Sequence, residues 1–148
     1  MSEEKDSHRK FAVECFNGTW DLLDKTDRTS QEATKMIHMT HASRFHWGEI
    51  GTAVNFARGD WQISRVYAVL GDFQNALTYA KSCLQLCEEH GLGDFDLAFA
   101  YEALARAYAA AGDRTARDQY LELAKTAGDA IKKDDDKRHF FSELGTIS

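Results

Sequence analysis

Apolar residues recur at helical steps on both sides of a glycine, and the arrangement occurs twice. Ahead of Gly71, Ile63, Val66, Tyr67 and Leu70 share one face of a 3.6-residue helix, and behind it Phe73, Ala76, Leu77, Ala80, Leu84 and Cys87 do the same. Around Gly112 the corresponding residues are Ala98, Tyr101, Leu104, Ala105 and Tyr108, then Ala116, Tyr120, Leu121, Leu123, Ala124, Ala127 and Ile131. The strings Arg65-Val-Tyr67-Ala68-Val-Leu-Gly71-Asp72 and Arg106-Ala-Tyr108-Ala109-Ala-Ala-Gly112-Asp113 stand 41 residues apart, and Tyr79 and Tyr120 keep that offset. Glycine at such a corner takes the positive φ that closes one helix, and the aspartate after it caps the free amides of the next. The pattern predicts two helical hairpins, over 55–90 and 94–133.

The flanking segments add elements of the same kind. A first helix is expected from Ser7 through Phe11, Cys15, Phe16, Trp20 and Leu23, with the charged residues 1–6 outside the fold. Gly18 inside it weakens it by about 1 kcal/mol relative to alanine. Thr29 or Ser30 followed by Glu32 resembles a capping box, which opens a second helix running to about Trp47. Residues 7–47 thus read as a degenerate hairpin without a Gly-Asp corner. The break over Gly48–Gly51 joins it to the third helix, which Asn55 is expected to cap; Asp94 or Asp96 is expected to cap the fifth. Asp134, Asp135 and Asp136 suit a helix start, and the helix over 135–144 presents Phe140, Phe141 and Leu144 on one side. Such a helix is placed to cover the last apolar face of a repeat array.

The run Ile63-Ser64, Tyr67, Gly71-Asp72-Phe73, Ala76, Tyr79-Ala80, Cys83, with Tyr101, Leu104-Ala105, Tyr108, Gly112-Asp113, Tyr120-Leu121, Ala124 in the second copy, resembles the tetratricopeptide repeat family. The likeness covers roughly residues 56–131. It departs from the family at Arg117, where alanine is usual, and in the absence of any proline. The resemblance implies an all-α fold of antiparallel helical hairpins stacked as a right-handed superhelix, closed by the short C-terminal capping helix. It also implies that the first helix of each hairpin lines a concave groove that contacts extended peptides. Carried over through the repeat, Arg58, Trp61, Gln62 and Arg65 fall on one inner helix, and Phe99, Glu102, Ala103 and Arg106 on the next. Members that hold a C-terminal carboxylate use Lys and Asn at such positions, so Trp61 and Glu102 argue against that ligand.

Composition narrows the function without naming it. The 148 residues suit one domain, and 43% hydrophobic with 28% charged residues are ordinary for a globular chain. A formal charge of −6 opposes a nucleic-acid surface, which needs a basic stripe. No apolar stretch approaches membrane-spanning length, Met1-Ser-Glu-Glu-Lys-Asp lacks the apolar run of a signal peptide, and three cysteines form no regular framework. A cytoplasmic monomer or homodimer is the expectation.

Two clusters invite a chemical reading. His38, His41, Arg44, His46 and Trp47 gather near the end of the second helix, and His38 and His41 have a metal-compatible helical step. His46 lies five residues beyond His41, about 7.5 Å further along the axis, which is awkward for a third ligand. The alternative is that one histidine packs in an interface while the others face water. Cys83, Cys87 and His90 lie along one helical face but spread over about 10 Å, so core packing of the cysteines is the better reading. No phosphate-binding glycine loop and no Gly-x-Ser-x-Gly elbow occurs.

These features favour a non-enzymatic protein or peptide interaction module that works through Arg58, Trp61, Gln62, Arg65, Glu102 and Arg106. No catalytic residue, cofactor or metal is assigned. The competing reading is a small-molecule or metal-binding protein, even an enzyme, with a closed pocket between the second and third helices around His41, Arg44, Trp47, Trp61 and Arg65. A local alternative also stands: Glu102 and Arg106 form an i,i+4 pair and carry no groove function.

Overall fold

The computed structural model describes residues 2–148. Among them are seven helices and no strand: α1 (Glu3–Leu23), α2 (Ser30–Ile50), α3 (Ala53–Val69), α4 (Phe73–His90), α5 (Asp94–Ala111), α6 (Arg114–Asp129) and α7 (Asp134–Leu144). None is long and apolar enough to cross a membrane. The most extensive packing joins α1 to α2, α3 to α4 and α5 to α6. Short corners between helices that pack along their length make each pair an antiparallel hairpin. Successive hairpins meet through α2 against α3, α4 against α5, and α3 against α5, while α7 packs on α5 and α6.

The two Gly-Asp corners have the same construction. Gly71 and Gly112 take φ of +83° and +77°, and their amides bond to Ala68 O and Ala109 O. The following amides, of Asp72 and Asp113, bond back to Tyr67 O (2.9 Å) and Tyr108 O (3.0 Å), which satisfies carbonyls that a helix end leaves free. Each aspartate side chain then accepts from an amide in the next helix, Asn75 N at 3.2 Å and Ala116 N at 3.1 Å. Behind each corner a tyrosine pair stacks nearly face to face, Tyr67 on Tyr79 (18°) and Tyr108 on Tyr120 (7°). The sequence offset is therefore also a structural one.

Several boundaries differ from the sequence expectation. Residues 3–6 belong to α1, because Ser2 accepts from Lys5 N at 3.2 Å and Glu3, Glu4 and Asp6 suit the positive end of the helix. Met1 lies outside the described residues. The capping box at Thr29 and Glu32 is present in both directions (3.1 Å each), but α2 runs through Gly48 to Ile50. Thr52 rather than Asn55 precedes α3, with Asn55 Oδ1 accepting from Thr52 N at 3.0 Å. Neither Asp94 nor Asp96 caps α5, since Gly93 holds that place and Asp96 is drawn into an ion pair. α6 stops at Asp129, short of Lys133.

The core runs along the inner helices, with Trp61, Phe99, Ala103 and Leu104 packed against Cys83, Ala124 and Phe140. α7 closes its end through a close approach: a Cβ on Gly128 would stand 2.5 Å from the Phe140 ring. Only glycine lets that ring, itself fully buried, lie on the α6 backbone.

Candidate functional site

An aromatic-walled concavity of about 460 Å³ opens on the face formed by α1, α3, α5 and α7. Alternation of helices explains this: the even-numbered partners lie behind, so the odd-numbered helices share one side. Its wall is aromatic, with Phe16 and Trp20 from α1, Trp61 from α3, and Phe95 and Phe99 from α5. The rings meet at varied angles. Trp20 and Trp61 are 5.6 Å apart at 32°, Trp61 and Phe99 5.3 Å at 82°, and Phe95 and Phe99 4.6 Å at 53°. Phe16, Trp20 and Phe95 are half-buried, whereas Trp61 and Phe99 are buried and form the deeper part of the wall. Asp24, Arg58, Asp96, His139 and Glu143 supply the polar part of the lining, and Cys83 reaches it from α4.

Behind this wall sits a buried polar network. Glu102 is fully buried and accepts from Trp61 Nε1 (3.0 Å), Arg65 Nη2 (3.2 Å) and Arg106 Nε (2.8 Å). Three donors, two of them cationic, supply the solvation that a buried carboxylate loses. Arg65 is 8% exposed, lies 5.1 Å from the Trp61 ring centre and 6.0 Å from that of Trp20, and faces Glu143 of α7 at 3.8 Å. Its Nε is the one buried side-chain nitrogen or oxygen among the described residues without a hydrogen-bond partner. Arg106 continues to Glu143 O at 3.0 Å and Thr146 Oγ1 at 2.7 Å, which fixes the C-terminal segment to α5. Gln62 is fully buried too; it donates to Phe16 O (3.0 Å) and accepts from Thr40 (2.9 Å), tying α3 to α1 and α2.

Of the residues expected to face a groove, Arg58 alone is exposed. It pairs with Asp96 at 2.8 Å and lies 5.7 Å from the Phe95 ring centre. Trp61 shows the pocket one side and the network the other, whereas Gln62, Arg65 and Glu102 are interior and Arg106 is half-buried. The local Glu102–Arg106 pair is present, as one edge of that larger network.

The histidine-rich stretch does not converge on a cavity. His38 is exposed, and His41 bonds to the Tyr67 hydroxyl at 2.8 Å, where burial lowers the pKa of its imidazole. Arg44 pairs with Asp60 at 2.9 Å and covers Phe56, and Asp60 also accepts from Ser82 at 2.6 Å. His46 meets His8 at 2.8 Å, and Trp47 has Arg9 5.8 Å from its ring centre. Trp47 alone of this group borders a hollow, of about 260 Å³, shared with Val13, Phe16, Asn17, Asn55, Arg58 and Gly59. Among the described residues no group of three or more His, Cys, Asp or Glu side chains is placed to hold a metal ion. Cys83 and Cys87 are buried free thiols, His90 is exposed, and a hydrogen bond to Cys87 together with burial pushes the Cys83 thiol well above its ordinary pKa.

Sequence reasoning missed Phe16, Trp20, Asp24, Phe95, His139 and Glu143 as parts of one site. They come from three separate helices and the end of α1, so no spacing rule links them. The only available clue was that Trp20 and Phe16 lie on the apolar face of an inner helix. No protein-family model matches the chain, and neither a curated protein nor a solved structure matches it.

Proposed function

We propose that the protein is a non-enzymatic interaction module, built as a tetratricopeptide-like superhelix, which holds a peptide segment of a partner protein in the concave pocket. One observation carries this reading: an aromatic wall assembled from α1, α3 and α5 lines a pocket of about 460 Å³. Aromatic side chains supply large contact area at low entropic cost, and Trp, Tyr and Arg dominate interface hot spots. A volume of about 460 Å³ lies in the range of ligand sites. The Glu102 network supports the role by locking Trp61 from behind, so that binding does not have to order it. The histidine region gives the competing small-molecule or metal reading no comparable support, because its polar groups are engaged with separate neighbours.

Selection of displayed random peptides against the wild-type protein, with counter-selection on Trp20→Ala, tests the proposal. Trp20 is half-buried and outside the Glu102 network, so its truncation removes wall without removing the network. Peptides enriched by the wild type and lost on Trp20→Ala support the pocket. Failure to enrich, or equal binding to both proteins, removes it as the binding surface.

A further inference from the structure

We infer that the group seated in this pocket is an organic cation on an aliphatic stem, carried as a lysine side chain by the partner peptide. This rests on the peptide reading above and adds the chemistry of the anchor. The chain's own cations already seek these rings. Arg65 places its guanidinium against Trp20 and Trp61, and Arg58 does so against Phe95. The ring faces of this wall are thus used as cation acceptors, the property by which aromatic cages hold ammonium groups.

Charge matching around the rim points the same way. Arg58 is neutralised by Asp96, and Arg65 and Arg106 together face Glu102 and Glu143. At the end of α1, Lys25 is taken by Glu32, and Arg28 donates to the carbonyls of Leu22, Leu23 and Lys25. Asp24 lines the pocket, is exposed, and among the described residues forms no ion pair. One carboxylate at the mouth of an aromatic pocket therefore awaits one positive charge. An anion would meet the carboxylates of Asp24, Asp96 and Glu143, with His139 the one basic side chain of the lining outside an ion pair, so acidic groups outnumber it three to one. A neutral apolar group would fill the wall but leave Asp24 unmatched. The formal charge of −6 over the chain acts in the same direction, since it draws a basic partner toward the surface.

The stem follows from the same geometry. The aromatic wall lies deeper than Asp24, so an occupant that satisfies both carries methylene groups along the rings and its charge near the opening. A lysine side chain has this form, with an apolar stem and a compact ammonium head.

The test uses the ¹⁵N-labelled full chain and follows the indole N–H signals of Trp20 and Trp61, with Trp47, outside the pocket, as the internal control. The probes are the capped pentapeptides Gly-Gly-Xaa-Gly-Gly, with lysine, norleucine or glutamate at Xaa, and n-butylammonium chloride. The lysine peptide and butylammonium are expected to shift Trp20 and Trp61 and leave Trp47 unmoved. Norleucine should bind about five-fold or more weakly than lysine, since it keeps the stem and loses the cation–π and carboxylate interactions. Asp24→Asn should weaken the lysine peptide about three-fold at low salt and leave norleucine unchanged. Equal binding of the lysine and norleucine peptides overturns the cation preference while the peptide reading stands. A response to butylammonium when none of the three peptides gives one overturns the peptide source, and silence from all four probes overturns both. An unchanged lysine affinity in Asp24→Asn overturns the assignment of that carboxylate as the matching charge.

Discussion

The second and third hairpins are built on one plan and put it to different uses. At the outer corners they agree atom for atom: glycine with positive φ, an aspartate cap, and a stacked tyrosine pair. On the inner helices the equivalent positions diverge. Arg58 corresponds to Phe99, Trp61 to Glu102, and Gln62 to Ala103, while Arg65 and Arg106 remain alike. Trp61 and Glu102 hold the same place in successive repeats and hydrogen-bond to each other at 3.0 Å. The shared Gly-Asp corners are what the backbone demands, and of the divergent residues Arg58, Trp61 and Phe99 line the pocket. Repetition supplies a frame on which only the inward positions are free to differ.

The strongest way to break this comparison is Glu102→Ala. It strands two guanidiniums and an indole N–H in the interior, so a loss of about 3–5 kcal/mol is expected. Urea unfolding monitored by far-UV circular dichroism measures it. Trp61→Phe, at the matching position, leaves Glu102 two cationic partners and should cost less than half as much. Equal costs would mean that the two positions play one structural role after all.

The corners should respond alike. Gly112→Val and Gly71→Val each place a β-branched residue at positive φ, where about 1–3 kcal/mol of backbone strain is expected. A Cβ at either position meets nothing within 4 Å, so the loss is conformational and not a packing clash. Thermal melts of the two variants should agree, and a large inequality would break the equivalence of the hairpins.

The smallest effect concerns His41, which bonds to Tyr67 and has no counterpart beside Tyr108. Tyr67→Phe should cost about 1 kcal/mol and Tyr108→Phe close to nothing. Burial lowers the folded-state pKa of His41 from its ordinary 6.5, so the folded protein favours the neutral ring and the unfolded chain binds the proton more readily. The contribution is complete above pH 6.5 and is lost as the pH falls toward the lowered value. Denaturation midpoints measured between pH 7.5 and 5 should therefore decline, and His41→Gln should flatten the decline.

What the sequence made legible were features fixed by short-range backbone chemistry. The Gly-Asp corners, the Thr29 capping box and the helical period around them need only neighbouring residues. The site was a different matter. Trp61, Arg65 and Glu102 lie on α3 and α5, but only Trp61 borders the pocket; whether a residue of these helices faces solvent or the interior depends on helices distant in the chain. Glu102 with Arg106 looked like an ordinary surface pair because its other two donors come from the preceding repeat. Asp96 looked like a cap for the same reason, its partner Arg58 being on another helix. The C-terminal helix was legible as a cover for the last hairpin, but not as the bearer of His139 and Glu143 in the pocket wall.

Cys83 gives the pocket a clock. Its thiol borders the cavity yet is only 2% exposed, and its high pKa keeps the reactive thiolate scarce. A thiol reagent can reach it only when the α3–α4–α5 packing parts, by local opening or by global unfolding. The half-buried Cys15 on α1, also free, offers a separate reference in the same molecule. The ratio of the two labelling rates, followed across denaturant, distinguishes breathing of the pocket floor from loss of the whole fold. A ligand that closes the pocket would slow one clock and leave the other running.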